Sequence, residues 1–153
     1  MNLYDELLGV IDRLNAAGIA YALCGGLAVA LHGYARFTKD IDLLVKAEDV
    51  ASISKQVQPI GFDLPTGPIP FDAGTEKERV VYRITKVEEN EILSLDLLVV
   101  SNILQQVWNS REWFDWNGRK LAVISADGLA EMKRLAGRDQ DRLDLKKLGY
   151  AQG

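Results

Sequence analysis

Two aspartates inside an apolar strand constrain this chain more than any other feature: Asp40-Ile41-Asp42-Leu43-Leu44-Val45. Successive strand side chains point to opposite faces, so Asp40 and Asp42 share one face while Ile41 and Leu43 take the other. Two neighbouring carboxylates repel, and an apolar strand offers little water to solvate them. An uncompensated buried charge costs several kcal/mol or more. The pair therefore calls for a cation, and oxygen donors at this spacing suit a hard divalent ion, Mg2+ first. The competing reading is an exposed strand end with solvated acids. A third carboxylate, Asp96, lies in the apolar run Ile92–Val100. It needs a partner too, either a cation shared with Asp40 and Asp42 or a salt bridge to Arg36, Lys39 or Arg83.

Upstream, Cys24-Gly25-Gly26 closes one apolar run and opens a helical one. Glycines between a strand and a helix let backbone N–H groups approach a phosphate, and the helix start favours negative charge. A plain tight turn is the alternative. The charges of Arg36-Phe37-Thr38-Lys39, just before the acidic pair, meet either nucleotide phosphates or solvent. His32, the one histidine, reads as a helix-end packing group, and Cys24 as core. The turn, the acidic pair and Asp96 together suggest a site for a metal-bound nucleotide.

The pattern of elements follows from periodicity. Residues 3–17 predict an amphipathic helix capped by Asn2 and ended at Gly18. A strand is expected over Ile19–Leu23, a short helix from Leu27 to His32, a strand over Asp40–Val45 and a helix over Ala47–Val57. All four prolines fall between residues 59 and 70, so Pro59–Glu78 reads as strand fragments and a long mobile loop. Strands follow over Val80–Thr85 and Ile92–Val100, turning at Glu88-Glu89-Asn90. Ser101 caps a short helix to Trp108. Trp113–Trp116 and Lys120–Ile124 form a hairpin around Asn117-Gly118. Ser125 or Asp127 caps a last helical region that breaks at Gly137 and ends near Leu148.

At 153 residues the chain fits one domain, with a core over about 1–100 and a C-terminal hairpin and helices over about 101–153. A 48% hydrophobic, 26% charged composition is that of a globular protein, not a disordered one. The net charge of −4 argues against a large basic nucleic-acid footprint. The apolar runs are too short to span a membrane, the N-terminus lacks signal-peptide character, and one cysteine fits a reducing cytoplasm.

Leu23-Cys24-Gly25-Gly26, then Asp40-Ile41-Asp42-Leu43, then Leu95-Asp96-Leu97 resembles the signature of the polymerase-beta-like nucleotidyltransferase superfamily. The tail, with Lys133-Arg134-Leu135-Ala136, Arg138, Gln140-Asp141 and Asp144, is similar to small bacterial members, including toxin-like proteins of abortive-infection systems. Those relatives often carry a lysine where this chain has Gln140. The resemblance implies an α+β fold, a mixed sheet flanked by helices with a short C-terminal helical region, in which the Asp40/Asp42 strand neighbours the Asp96 strand. It implies transfer of a nucleoside monophosphate from an NTP to a hydroxyl of RNA, protein or a small molecule, or else a non-catalytic nucleotide-binding module on the same fold. By match, Asp40, Asp42 and Asp96 are the catalytic acids and hold Mg2+ or Mn2+. Gly25, Gly26, Thr38, Lys39 and Lys133 lie on the nucleotide. A toxin-like role would bring a cognate antitoxin as partner.

Overall fold

The computed structural model describes residues 1–33 and 38–149. Arg36 and Phe37 of the basic stretch lie outside the described residues. The helices are α1 (Leu3–Ala16), α2 (Gly25–Leu31), α3 (Val50–Val57), α4 (Gln105–Asn109), α5 (Ala126–Ala136) and α6 (Asp139–Lys147). The strands are β1 (Ala22–Cys24), β2 (Ile41–Val45), β3 (Phe62–Phe71), β4 (Arg79–Glu88), β5 (Glu91–Val99), β6 (Glu112–Trp116) and β7 (Arg119–Val123). They form one seven-stranded sheet in the order β3-β4-β5-β2-β1-β7-β6. The β2–β5 and β1–β7 pairs are parallel and the others antiparallel, which makes the sheet mixed, as expected.

Alternation along β5 shows why the sheet has two unlike faces. Leu93, Leu95 and Leu97 are buried, while Ser94, Asp96 and Leu98 point the other way and are half-buried. Each buried leucine contributes about 1.5–3 kcal/mol by leaving water. The leucine face is covered by α1, whose Glu6 receives hydrogen bonds from Lys86 of β4 at 2.9 Å. Arg13 of α1 donates to the Gln56 carbonyl of α3 at 2.9 Å and ties those two helices together. The Asp96 face meets α5 on one side and stays open over β3, β4 and β5.

The structure corrects the proline-rich stretch. Ten of the residues assigned to strand fragments and a mobile loop are the strand β3, and turns follow from Asp72 to Lys77. Proline lacks a ladder donor, but β3 is the outermost strand, and an edge strand pairs on one side only. Register shifts between Phe62 and Leu64 and between Thr66 and Ile69 absorb the irregularity.

Other boundaries move by a few residues. β1 starts at Ala22, not Ile19, and α2 starts at Gly25, not Leu27. Asp40 stands just outside β2, and a 3-10 turn at Ala47–Asp49 precedes α3. Asn2 caps α1 as expected, accepting from the Tyr4 and Asp5 amides. Ser125, not Asp127, caps α5 by accepting from the Gly128 amide. Ser101 stands at the start of its 3-10 turn, but its hydroxyl is buried and makes no capping bond. The C-terminal hairpin is no appendage: β7 lies in the sheet beside β1.

Candidate active site

The sheet register builds the site. Asp42 of β2 lies opposite Cys24 of β1 on one side and opposite Asp96 of β5 on the other. Asp96 in turn lies opposite Arg83 of β4. Partners across a ladder share a face, so Arg83, Asp96 and Asp42 form one lateral row. Asp40, two residues before Asp42, lies on the same side.

Gly25 determines how closely the next element can approach. Its φ is +67°, a left-handed value that glycine adopts without steric cost. A Cβ placed there would stand 2.2 Å from Oδ2 of Asp42. The conformational demand thus falls on Gly25, while its neighbour Gly26 is buried in the first turn of α2. Cys24 packs in the core, and burial pushes its thiol well above the ordinary value. His32 ends α2, its Nε2 lies 2.9 Å from the Ile124 carbonyl oxygen, and its ring packs edge-on against Phe114.

These elements border a cleft of about 770 Å3. Gly25, Gly26, Thr38, Lys39, Asp40, Asp42, Asp96 and Lys133 all line it. The same sheet face continues the lining across the β3–β4 ribbon and β5, with Ile69, Phe71, Arg79, Val81, Arg83 and Leu98. The sequence reading has strands over Val80–Thr85 and Ile92–Val100 but only strand fragments and loop where β3 runs, so it does not assemble this wall. Alternation of Arg79, Val81 and Arg83 along β4 is the signal that carries it.

The carboxylates differ sharply in their partners. Arg83 Nε donates to Asp96 Oδ1 at 2.8 Å, and Nη2 donates to Oδ2 at 3.1 Å. Of the two explanations for Asp96, the structure therefore contains the salt bridge. Among the described residues no side chain donates to the Asp42 carboxylate. Burial first, then the charges of Asp96 and Asp40, raise the Asp42 carboxyl to about 7. Asp40 is also raised, by burial and by Asp96, against the pull of Arg83 and Lys39.

Lys133 reaches the cleft with its ammonium already engaged. It is 6% exposed, 3.3 Å from Asp141 Oδ1 and 3.0 Å from Asp144 Oδ2. Arg138 donates from Nε to Asp141 Oδ2 at 2.7 Å. Burial works against the ionised Asp141, but the Arg138 hydrogen bond and the charges of Lys133 and Arg138 outweigh it and hold the carboxyl below its usual range.

Hard carboxylate oxygens fit a divalent cation by donor chemistry, and among the described residues Asp42 makes no ion pair, feeling Lys133 and Arg138 only at a distance. Among the described residues, however, no three carboxylate, histidine or cysteine side chains already stand together as a ligand set.

The family model for aminoglycoside-2″-adenylyltransferase matches residues 6–148. The chain belongs to this family. A search of curated proteins finds no match. Among solved structures, a candidate nucleotidyltransferase from Thermotoga maritima superposes with a TM-score of 0.61 at 16% identity, covering 92% of this chain and 88% of its own. ANT(2″)-Ia in complex with adenylyl-2″-tobramycin gives a TM-score of 0.58 at 16% identity, over 94% of this chain and 87% of that one. The Helicobacter pylori protein JHP933 gives 0.57 at 15% identity, over 95% and 63%. At these identities the likeness speaks for the fold, and it matches the α+β nucleotidyltransferase architecture that the motifs imply.

Proposed function

We propose that this protein is a divalent-metal-dependent nucleotidyltransferase that moves a nucleoside monophosphate from an NTP to an acceptor hydroxyl. The observation that carries this reading is the in-register pairing of Asp42 with Asp96 beside the Gly25 turn, at the mouth of one cleft. A cation held by Asp40, Asp42 and Asp96, Mg2+ or Mn2+, would supply charge neutralisation for the triphosphate and the leaving pyrophosphate. The residues themselves do the rest. Gly25 and Gly26 present no side chain to the phosphates, and Thr38, Lys39 and Lys133 border the same space. Asp96 accepts the proton of the attacking hydroxyl as its oxygen bonds to the α-phosphorus and the bond to pyrophosphate breaks. The family match favours a small hydroxyl-bearing acceptor such as an aminoglycoside over RNA or protein. A toxin-like role with a cognate antitoxin rests on the tail resemblance alone. A cytoplasmic location agrees with the free, buried Cys24, and no helix among the described residues is long and apolar enough to cross a membrane.

One observation favours the alternative, a non-catalytic nucleotide-binding module: Arg83 takes both oxygens of Asp96. Labelled NTPs, Mg2+ and a panel of aminoglycosides plus cell extract decide between the two. The enzyme reading expects transfer by the parent and transfer at least ~100-fold slower by Asp96→Asn, with Mg-NTP binding retained. NTP binding by the parent without transfer to any acceptor would establish the module instead.

A further inference from the structure

The lateral row across the sheet runs from Thr66 on β3 through Arg83 and Asp96 to Asp42. Within it, Arg83 and Asp96 are unequal. The arginine side chain is 47% exposed and the aspartate 15%. The guanidinium can swing on the open face of β4, while the carboxylate is held in the row. A carboxylate with both oxygens in a guanidinium fork takes up a cation or a proton less readily, because each competes with the fork. Arg83 also feels the charges of Asp40 and Asp42, which the function proposed above assigns to the cation. Asp72, another carboxylate of the cleft lining, already pairs with Arg79, and the remaining surface of that wall is Ile69, Phe71, Val81 and Leu98. A guanidinium released from Asp96 stays half-exposed at the cleft, where its fork can meet an anion of the substrate.

Building on the function proposed above, we propose that Arg83 is a positioning residue that works as a counterion latch. It holds Asp96 while the cleft is empty, yields that carboxylate to a divalent cation, and then receives a phosphate-type anion of the incoming substrate. The anion belongs either to the nucleotide triphosphate or to an anionic group on the acceptor, since both present the same oxygens to the fork.

The test uses the whole protein and two binding measurements with opposite expected signs. Mn2+ binding, read by electron paramagnetic resonance without nucleotide, is expected to be about tenfold tighter in Arg83→Gln than in the parent, because no fork has to be displaced. At saturating Mn2+, binding of an anion is expected to be about tenfold weaker in the same variant. Arg83→Lys, which keeps the charge without the fork, falls between the two on both scales. The anion probes are a non-hydrolysable NTP analogue and glycerol phosphate. Weakening for the analogue alone assigns the anion to the nucleotide, and weakening for glycerol phosphate assigns it to the acceptor. A general loosening of the fold would weaken both Mn2+ and anion binding, and that outcome overturns the latch. So does Mn2+ affinity that is equal in parent and Arg83→Gln, or anion affinity that is unchanged for both probes. No Mn2+ binding by the parent itself would instead remove the metal-dependent reading on which the latch stands.

Discussion

At the scale of single residues, Asp42 is a buried carboxylate held far from its ordinary state. Burial and the charges of Asp96 and Asp40 raise its carboxyl to about 7, against about 4 for an unfolded chain. The folded protein therefore holds a proton that the unfolded chain has already lost between these two values. Stability follows the difference in bound protons, so in the metal-free protein the Asp42 contribution falls as pH rises from about 4 to about 7. Asp42→Asn keeps the shape and removes the titration. Urea midpoints measured in EDTA at pH 5 and pH 8 should show the variant gaining on the parent as pH rises. A gap that stays constant across that range would mean that Asp42 is not strained by burial and its neighbours.

At the scale of elements, α5 and α6 meet through a buried ionic knot. Gly137, at φ +65°, turns the chain so that Asp141 and Asp144 of α6 reach back to Lys133 of α5. Removing one partner of a buried pair leaves uncompensated charge, which costs about 3–5 kcal/mol. Lys133→Met should thus lower the unfolding free energy by about 3 kcal/mol or more in a urea titration. A cost under about 1 kcal/mol would show that the ammonium is not committed to α6 and is free for phosphates. This knot also marks where sequence reading stopped short. The tail motif groups Lys133, Asp141 and Asp144 and the break at Gly137 is legible, but the ion pairs of Lys133 with both carboxylates are a tertiary fact. Likewise, the acidic pair and Asp96 were legible as charges in apolar runs. Their parallel register was not, because the two strands are separated by more than forty residues of chain. The fork of Arg83 on Asp96 was closer to hand. The two-residue turn at Glu89-Asn90 places Arg83 opposite Asp96 by counting alone, whereas the expected three-residue turn Glu88-Glu89-Asn90 shifts the count and puts Arg83 opposite Leu95. The prolines of β3 misled because edge position is a property of the sheet, not of the segment.

At the scale of the whole molecule, the C-terminal third is part of the sheet that carries the site. β1 is three residues long, wholly buried, and flanked by β2 and β7. The sheet beyond β1 is tied back to α1 by Asn15, which donates to the Lys120 carbonyl at 3.1 Å, and by the Arg119–Asp12 ion pair at 3.0 Å. Within the core, the buried Tyr21 hydroxyl accepts from the Ala122 amide at 3.4 Å. Beyond β7, α5 supplies Leu129, Met132 and Lys133 to the cleft. A chain cut after Val100 would keep every carboxylate of the acidic set. It would also bare one edge of β1, strand the Tyr21 hydroxyl, and expose the apolar surface that β7 and α5 cover. The motifs place the core over about residues 1–100, whereas the topology runs the sheet on through β7 and β6. The truncated chain is expected to show no cooperative urea transition by circular dichroism and no dispersed amide spectrum by NMR. A sharp transition near the midpoint of the full chain would demonstrate that β1 holds without β7, and that the C-terminal elements are added to a finished core.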